Sequence, residues 1–161
     1  MVADVAPAGF EIREVPLQDL LVARAVFSYA SGRSPEDSVL PGDDDPRAVH
    51  LLAVSHGVVA GAATLTWDPC EMSDGELVHW RLRALGVAPT AQRRGIGRAL
   101  VFRRLRLVAE RGADTAWCSA REQNVERFTR WGAVAMGPVV VPGTDAPAGT
   151  SHTLMRWAVG T

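Results

Sequence analysis

The stretch Leu82–Leu100, LRALGVAPTAQRRGIGRAL, constrains this chain more than any other. A strand-like run ends at Val87, and a glycine-bearing turn opens directly into a helical pattern. The first N–H groups of a helix have no intrahelical partner and sit at the positive end of its dipole. Such a turn suits a pyrophosphate. Gly95 and Gly97 lack a Cβ, so the backbone can approach a ligand closely. Arg93, Arg94 and Arg98 add positive charge around the same turn. Rival phosphate motifs fit badly. There is no GxxxxGKS or GxxxxGKT run, and a GxGxxG run breaks at Leu100. A Rossmann unit would place this turn after its first strand, whereas here it follows the fourth.

The rest of the chain supplies a frame for that turn. Phe10–Val15 alternates like a strand, and Leu17–Tyr29 has helical spacing. Ser31–Arg47, with its prolines and the run Asp43-Asp44-Asp45, reads as a loop with room for a short helix. His50–Val54 and Val58–Trp67 form a predicted hairpin through Ser55-His56-Gly57, and Pro69–Gly75 is a second turn. Val78–Val87 is the predicted central strand. Ile96–Arg111 is a helix closed by Gly112, where a C-cap glycine belongs. Thr115–Ser119 is a strand, and Asn124–Trp131 is a short helix stopped by Gly132. Ala133–Val141 and Ser151–Val159 are the last strands, joined by the loop Pro142–Gly149. The order β, α, loop, β, β, β, α, β, α, β, β predicts an α/β fold with a mixed sheet, in one domain spanning residues 1–161.

Composition narrows the function. With 161 residues, 47 % of them hydrophobic, the chain can bury one sizeable core. The formal net charge is −1, although all 17 basic residues are arginine. A near-neutral domain is not expected to have nucleic acid or a membrane surface as its partner. No apolar run reaches the ~18 residues of a membrane span. Cys70 and Cys118 form no CxxC pair and have no histidine at zinc-finger spacing. No disulfide framework and no metal are expected, and a reducing cytoplasm is the default compartment. The segment Met1–Phe10 carries Asp4 and does not read as a signal peptide. The tryptophans at 67, 80, 117, 131 and 157 are expected mostly in the core.

Val87-Ala88-Pro89 followed by Gln92-Arg93-Arg94-Gly95-Ile96-Gly97 resembles the acyl-CoA motif of the GNAT N-acetyltransferase superfamily, Q/R-x-x-G-x-G/A. The strand before it, the helix after it and the element order from about residue 10 to residue 159 match as well. The resemblance implies a single-domain GNAT fold, with a mixed, mostly antiparallel central sheet, flanking helices and splayed central strands. It implies acetyl-CoA or another acyl-CoA as co-substrate, and direct transfer of the acyl group to an amine. Backbone groups near Leu85 and Val87, at a strand end finished by Ala88 and Pro89, would pair with pantetheine as an added strand does. The turn Gln92, Arg93, Arg94, Gly95, Ile96, Gly97 and Arg98 would hold the pyrophosphate through its amides. Ala120-Arg121 to Gly132 resembles the second CoA segment, where the family has Asn or Arg at the place of Arg121. The ending SHTLMRW, with His152 and Met155, resembles the H-x-x-M pattern of the ElaA-like branch, and makes His152 either a secondary base candidate or a structural hydrogen-bonding residue.

The proton chemistry departs from the family pattern. Relatives commonly protonate the leaving thiolate with a tyrosine four residues before a glycine. Here that glycine is Gly132 and the position is Phe128, which has no proton to donate; the chain's one tyrosine is Tyr29. Water or another group could serve, the thiolate could leave unassisted, or the chain could be a GNAT-like acyl-CoA-binding or sensing module with weak or no catalysis. His79, Arg81 and Arg83 alternate on one predicted strand face, with Trp80 opposite. Relatives often carry a base on this strand, in some at the place of Arg81. Arginine stays protonated, so His79 is the candidate base, the other reading being a half-exposed strand residue; Glu76 is nearby in a turn. Cys118 and Ser119 either approach the thioester or are plain strand residues, the second reading being favoured. Asp43–Asp45 with Glu36-Asp37 would make either an acidic roof over a cationic acceptor or, as favoured, a solvated loop. Arg103, Arg104 and Arg106 read as the wet face of their helix. A small-molecule amine is favoured over a protein as acceptor, and homodimers are common in this fold.

Overall fold

A computed structural model describes residues 5–6, 9–27, 34–138 and 152–159. The elements are β1 (Val5–Ala6), β2 (Phe10–Val15), α1 (Leu17–Phe27), β3 (Val49–Ser55), β4 (Val58–Glu71), β5 (Leu77–Val87), α2 (Ile96–Glu110), β6 (Thr115–Arg121), α3 (Glu122–Arg130), β7 (Val134–Pro138) and β8 (His152–Ala158). Short 3-10 turns stand at Glu36–Ser38 and Pro89–Ala91. The strands form one sheet in the order β1-β2-β3-β4-β5-β6-β8-β7. Every pairing is antiparallel except β5 with β6. The mixed, mostly antiparallel α/β architecture expected from the sequence is therefore present. Tyr29 and the loop Pro142–Gly149 lie outside the described residues.

Strand alternation gives the sheet two apolar faces. On one, Leu51, Leu65, Trp80 and Leu82 meet Ile96, Leu100, Val101, Leu105 and Val108 of α2, together with Phe128 of α3. That is the helical stripe predicted for α2. On the other, Leu20 and Ala23 of α1 cover Leu52, Val54 and Ala62. Gly61 lets α2 dock closely, because a Cβ there would stand 3.0 Å from Ile96 and 3.1 Å from Leu100.

Two strand predictions fall short, each for a physical reason. β4 runs through Pro69 to Glu71, where a turn was expected. The register slips between Trp67/Cys70 and Trp80/Val78, so Pro69 sits in a bulge that does not need its missing N–H. The extra residue belongs to β4, and beside it the alternation expected of β5 is not kept. His79 and Trp80 both contact the Trp67 ring, instead of pointing to opposite faces.

Candidate active site

The site begins where the sheet splits. β5 and β6 pair only at Trp80↔Ala116 and Arg81↔Trp117. Beyond these, β5 stays on β4 as far as Val87↔Gly61, and β6 stays on β8 as far as Arg121↔His152. The two strands therefore splay, and their facing backbone edges have no ladder partner in each other. A cleft of about 740 Å³ opens there, lined by both strands and by α2 and α3. An extended polar chain could add to such an edge by main-chain hydrogen bonds.

β5 bends at the split. The register passes from Thr64↔Arg83 to Ala62↔Gly86, which leaves an extra residue in β5. Ala84 takes φ +55°, a left-handed conformation unusual for alanine. Arg104 of α2 stabilises this bulge. Its Nη1 donates to Thr64 O at 3.0 Å and to Arg83 O at 3.2 Å, and its Nε to Leu100 O at 3.1 Å. Arg104 is 1 % exposed, so its expected place on the wet helix face is corrected. Arg106 is exposed and Arg103 half-buried. The signal was in the spacing: position 104 lies four residues from both Leu100 and Val108, on the apolar stripe. Burial pushes the Arg104 guanidinium down to about 9. It also pushes the neighbouring Cys118 thiol up to about 12. That thiol is protonated near neutral pH and is not an activated nucleophile.

The mouth of the cleft is the predicted turn. Arg93 and Gly95 both have positive φ, +65° and +84°. A Cβ on Gly95 would meet nothing within 4 Å, so its conformation is what calls for glycine. Gly97 lies within the first helical turn, and a Cβ there would make ordinary contacts with Trp131 at 3.6 Å and Val87 at 3.7 Å. The protein itself therefore has room for a methyl group at 97. The first bond closing the helix runs from Ala99 N–H to Gly95 O at 3.0 Å. The N–H groups of Ile96, Gly97 and Arg98 thus precede the helical ladder. Gln92 Nε2 donates to Val87 O at 3.4 Å and ties the turn to the strand end.

Most of the predicted cofactor residues line the cleft: Leu85, Val87, Gln92, Arg93, Gly95, Ile96, Gly97, Arg98 and Arg121. Ala88, Pro89 and Arg94 do not. The Ala88 N–H donates to Ala60 O at 2.8 Å, Pro89 starts the 3-10 turn, and Arg94 Nη2 donates to Ser55 Oγ at 2.9 Å. Eight arginines and no carboxylate stand among the described lining residues. Such a lining suits a polyanionic ligand bearing a pyrophosphate.

The inner walls differ in chemistry. Phe128 is buried with its ring 5.8 Å from that of Trp131 and 5.6 Å from that of Trp157. Opposite it, Ser119 Oγ lies 2.6 Å from His152 Nδ1, and both residues line the cleft.

Comparisons with known proteins agree with this geometry. Residues 16–132 match the acetyltransferase (GNAT) family. The chain belongs to that family. It is 29 % identical over 121 residues to a streptothricin acetyltransferase of Streptomyces lavendulae, covering 75 % of this chain and 59 % of that relative. This chain thus spans less than two thirds of that relative's length. Among solved structures, the ribosomal-protein-S18-alanine N-acetyltransferase of Escherichia coli has a TM-score of 0.70 at 19 % identity, over 94 % of this chain and 95 % of its own. Escherichia coli ElaA has a TM-score of 0.66 at 14 % identity, over 92 % and 99 %. At such identities the likeness is one of fold.

In this GNAT domain, several candidate residues stand elsewhere than expected. His79 does not line the cleft. Its ring stacks on Trp67 at 4.8 Å, in a shallow hollow shared with Trp80, Arg111 and Asp114. Arg81 and Arg83 are buried instead of alternating with His79 on an open face. Arg81 bonds Asp68 at 3.0 Å and lies over the Trp117 ring, while Arg83 Nη1 donates to Pro41 O at 2.9 Å. Glu76 accepts from Arg156 Nη1 at 2.6 Å. The aspartate run is neither uniformly a roof charge nor uniformly solvated. Asp43 is buried on Arg24, Asp45 pairs with Arg47, and Asp44 is exposed. Among the described residues, no group of three metal-ligating side chains is gathered, and no helix is long and apolar enough to cross a membrane.

Proposed function

We propose that this chain transfers an acetyl group from acetyl-CoA directly to the amine of a small molecule. The observation that carries this reading is the two-pair β5–β6 ladder opening into a cleft whose mouth is the Arg93–Arg98 turn. The free edge of β5 near Leu85 and Val87 is placed to bind the pantetheine arm. The N–H groups at the start of α2 are placed to bind the pyrophosphate, with arginines supplying countercharge. Acetyl-CoA, when bound, supplies the activated thioester. The chain's own part is to position that thioester beside an amine, to exclude water and to manage the amine's proton. The streptothricin acetyltransferase relative supports a small-molecule acceptor, and a reducing cytoplasm fits such a reaction.

A second reading is favoured by Phe128 alone: an acyl-CoA-binding or sensing domain with weak catalysis. A melting curve with saturating acetyl-CoA, and with ATP and NAD as controls, tests both readings. Ligand at a hundredfold over its dissociation constant stabilises by ~2.7 kcal/mol, about 5–10 °C at this size. A shift specific to acetyl-CoA with thiol release on an amine panel supports the enzyme. A shift without thiol release supports the sensor, and no shift overturns both.

A further inference from the structure

We propose that Ser119 and His152 form the proton-transfer pair of this site, with Ser119 Oγ touching the reacting amine and His152 acting through it. The inference rests on the acetyl-transfer reading above. Trp117 is the last β6 residue paired with β5, so Ser119 stands two residues into the split. Alternation puts its side chain on the face of Trp117, away from the α2 face that holds Cys118 and Ala120. His152 opens β8 on that same face, opposite Arg121. The 2.6 Å contact joins the two across neighbouring strands.

A pantetheine arm entering at the Arg93–Arg98 turn and pairing along β5 from Val87 inward would bring its thioester to this apex. On the α2 side, Phe128 has no proton to give and the Cys118 thiol is buried and held neutral. The hydroxyl comes from the opposite wall. Because Nδ1 faces the serine hydroxyl, His152 accepts from Ser119 when its ring proton is on Nε2.

The step balances without a further reagent. The amine lone pair forms the C–N bond as the carbonyl π pair moves to oxygen. Ser119 Oγ takes a proton from the ammonium nitrogen and passes its own to His152 Nδ1. As the carbonyl re-forms, the C–S bond breaks and its electron pair leaves on sulfur. The proton then returns from His152 through Ser119 to the thiolate. Ser119 and His152 end as they began, and the products are an amide and a free thiol. The pair shares the cleft lining with eight arginines, of which Arg81 is bonded to Asp68. Arg156, further along β8, is bonded to Asp74 and Glu76.

The test compares the full-length chain with Ser119→Ala, His152→Gln, their double variant and Ser119→Thr. It reads the acetyl-CoA melting shift, thiol release with a saturating amine, and the pH profile of kcat. If the unaltered chain releases no thiol with any amine, the transfer reading fails, and the pair with it. Given turnover, each single variant should keep the melting shift while kcat falls about 10²–10⁴-fold. The double variant should be no worse than either single one, as for groups acting as a unit. His152→Gln should also lose the acidic limb of the profile, and Ser119→Thr should keep most of the activity. Turnover that stays within about threefold in the single variants overturns the pair, as does a loss confined to acetyl-CoA binding.

Discussion

Arg104 Nη1 donates to the carbonyl oxygen of Arg83 at 3.2 Å, linking the middle of α2 to the residue just before the left-handed Ala84. The same nitrogen also serves Thr64 O on β4, so one buried cation satisfies a carbonyl on each of the two strands where the bulge begins. A carbonyl left buried without a donor costs about 1–3 kcal/mol. Arg104→Leu should therefore lower the stability by about 2 kcal/mol, or ~4–8 °C in Tm. It should also weaken acetyl-CoA binding, because the β5 edge loses its shape. A variant with unchanged Tm and unchanged affinity would show that the bulge holds without it.

Asp43 joins a closed circuit beneath α1. Arg24 Nη1 and Nη2 reach its two carboxylate oxygens at 2.6 and 3.1 Å, and Nη2 also donates to Thr64 Oγ1 at 2.8 Å. Asp43→Asn breaks a fully buried ion pair, a change that costs ~3–5 kcal/mol where one charge is left unpartnered. Urea unfolding should show a midpoint well below that of the unaltered chain. A surface-like effect of a few tenths of a kcal/mol would contradict the burial.

His50 closes the same circuit and gives it a pH dependence. Nε2 lies 3.0 Å from Asp43 O, and Nδ1 lies 3.2 Å from Thr64 Oγ1. A carbonyl can only accept, so Nε2 carries the proton and Nδ1 accepts from the threonine. Burial holds the imidazole below its ordinary value of 6.5, outweighing the Asp43 contacts. The unfolded chain then binds more protons than the folded one just below pH 6.5, so stability rises with pH there. The contribution is complete above the unfolded value and is lost as pH falls from 6.5 toward the depressed folded value. In His50→Gln, that segment of the stability–pH curve should flatten; an unchanged slope would assign it to another group.

Gly97 separates ligand space from protein space. Because a Cβ there meets only ordinary contacts, Gly97→Ala should fold with nearly unchanged Tm. Gly97→Glu should abolish the acetyl-CoA melting shift, since bulk and charge both oppose a pyrophosphate. Full retention of the shift would remove the turn from the binding site.

Cys118 lines the cleft but is a neutral buried thiol. Cys118→Ala should keep kcat within about threefold and leave the pH profile in place, with a modest stability loss of about 1 kcal/mol from the vacated volume. Loss of turnover in a folded variant would put the sulfur in the chemistry.

The sequence alone determined what is local. The helical stripe of α2, the alternation of β2, the glycine turn at 95 and the motif from Val87 to Gly97 are set by neighbours a few residues apart, through φ preferences and side-chain periodicity. The GNAT family was legible there, as was the missing hydroxyl at Phe128. Only the tertiary structure decided what depends on pairing between distant strands. His79 stacks on Trp67 of β4, outside the cleft, and Asp68, Trp117 and the Pro41 carbonyl hold Arg81 and Arg83 in buried positions. Arg24 and Arg104 occupy apolar-stripe positions on their helices, and their charges are tolerated only because oxygens from remote segments converge on them. Ser119 and His152 are 33 residues apart in the chain, and the register of β6 against β8 makes them neighbours.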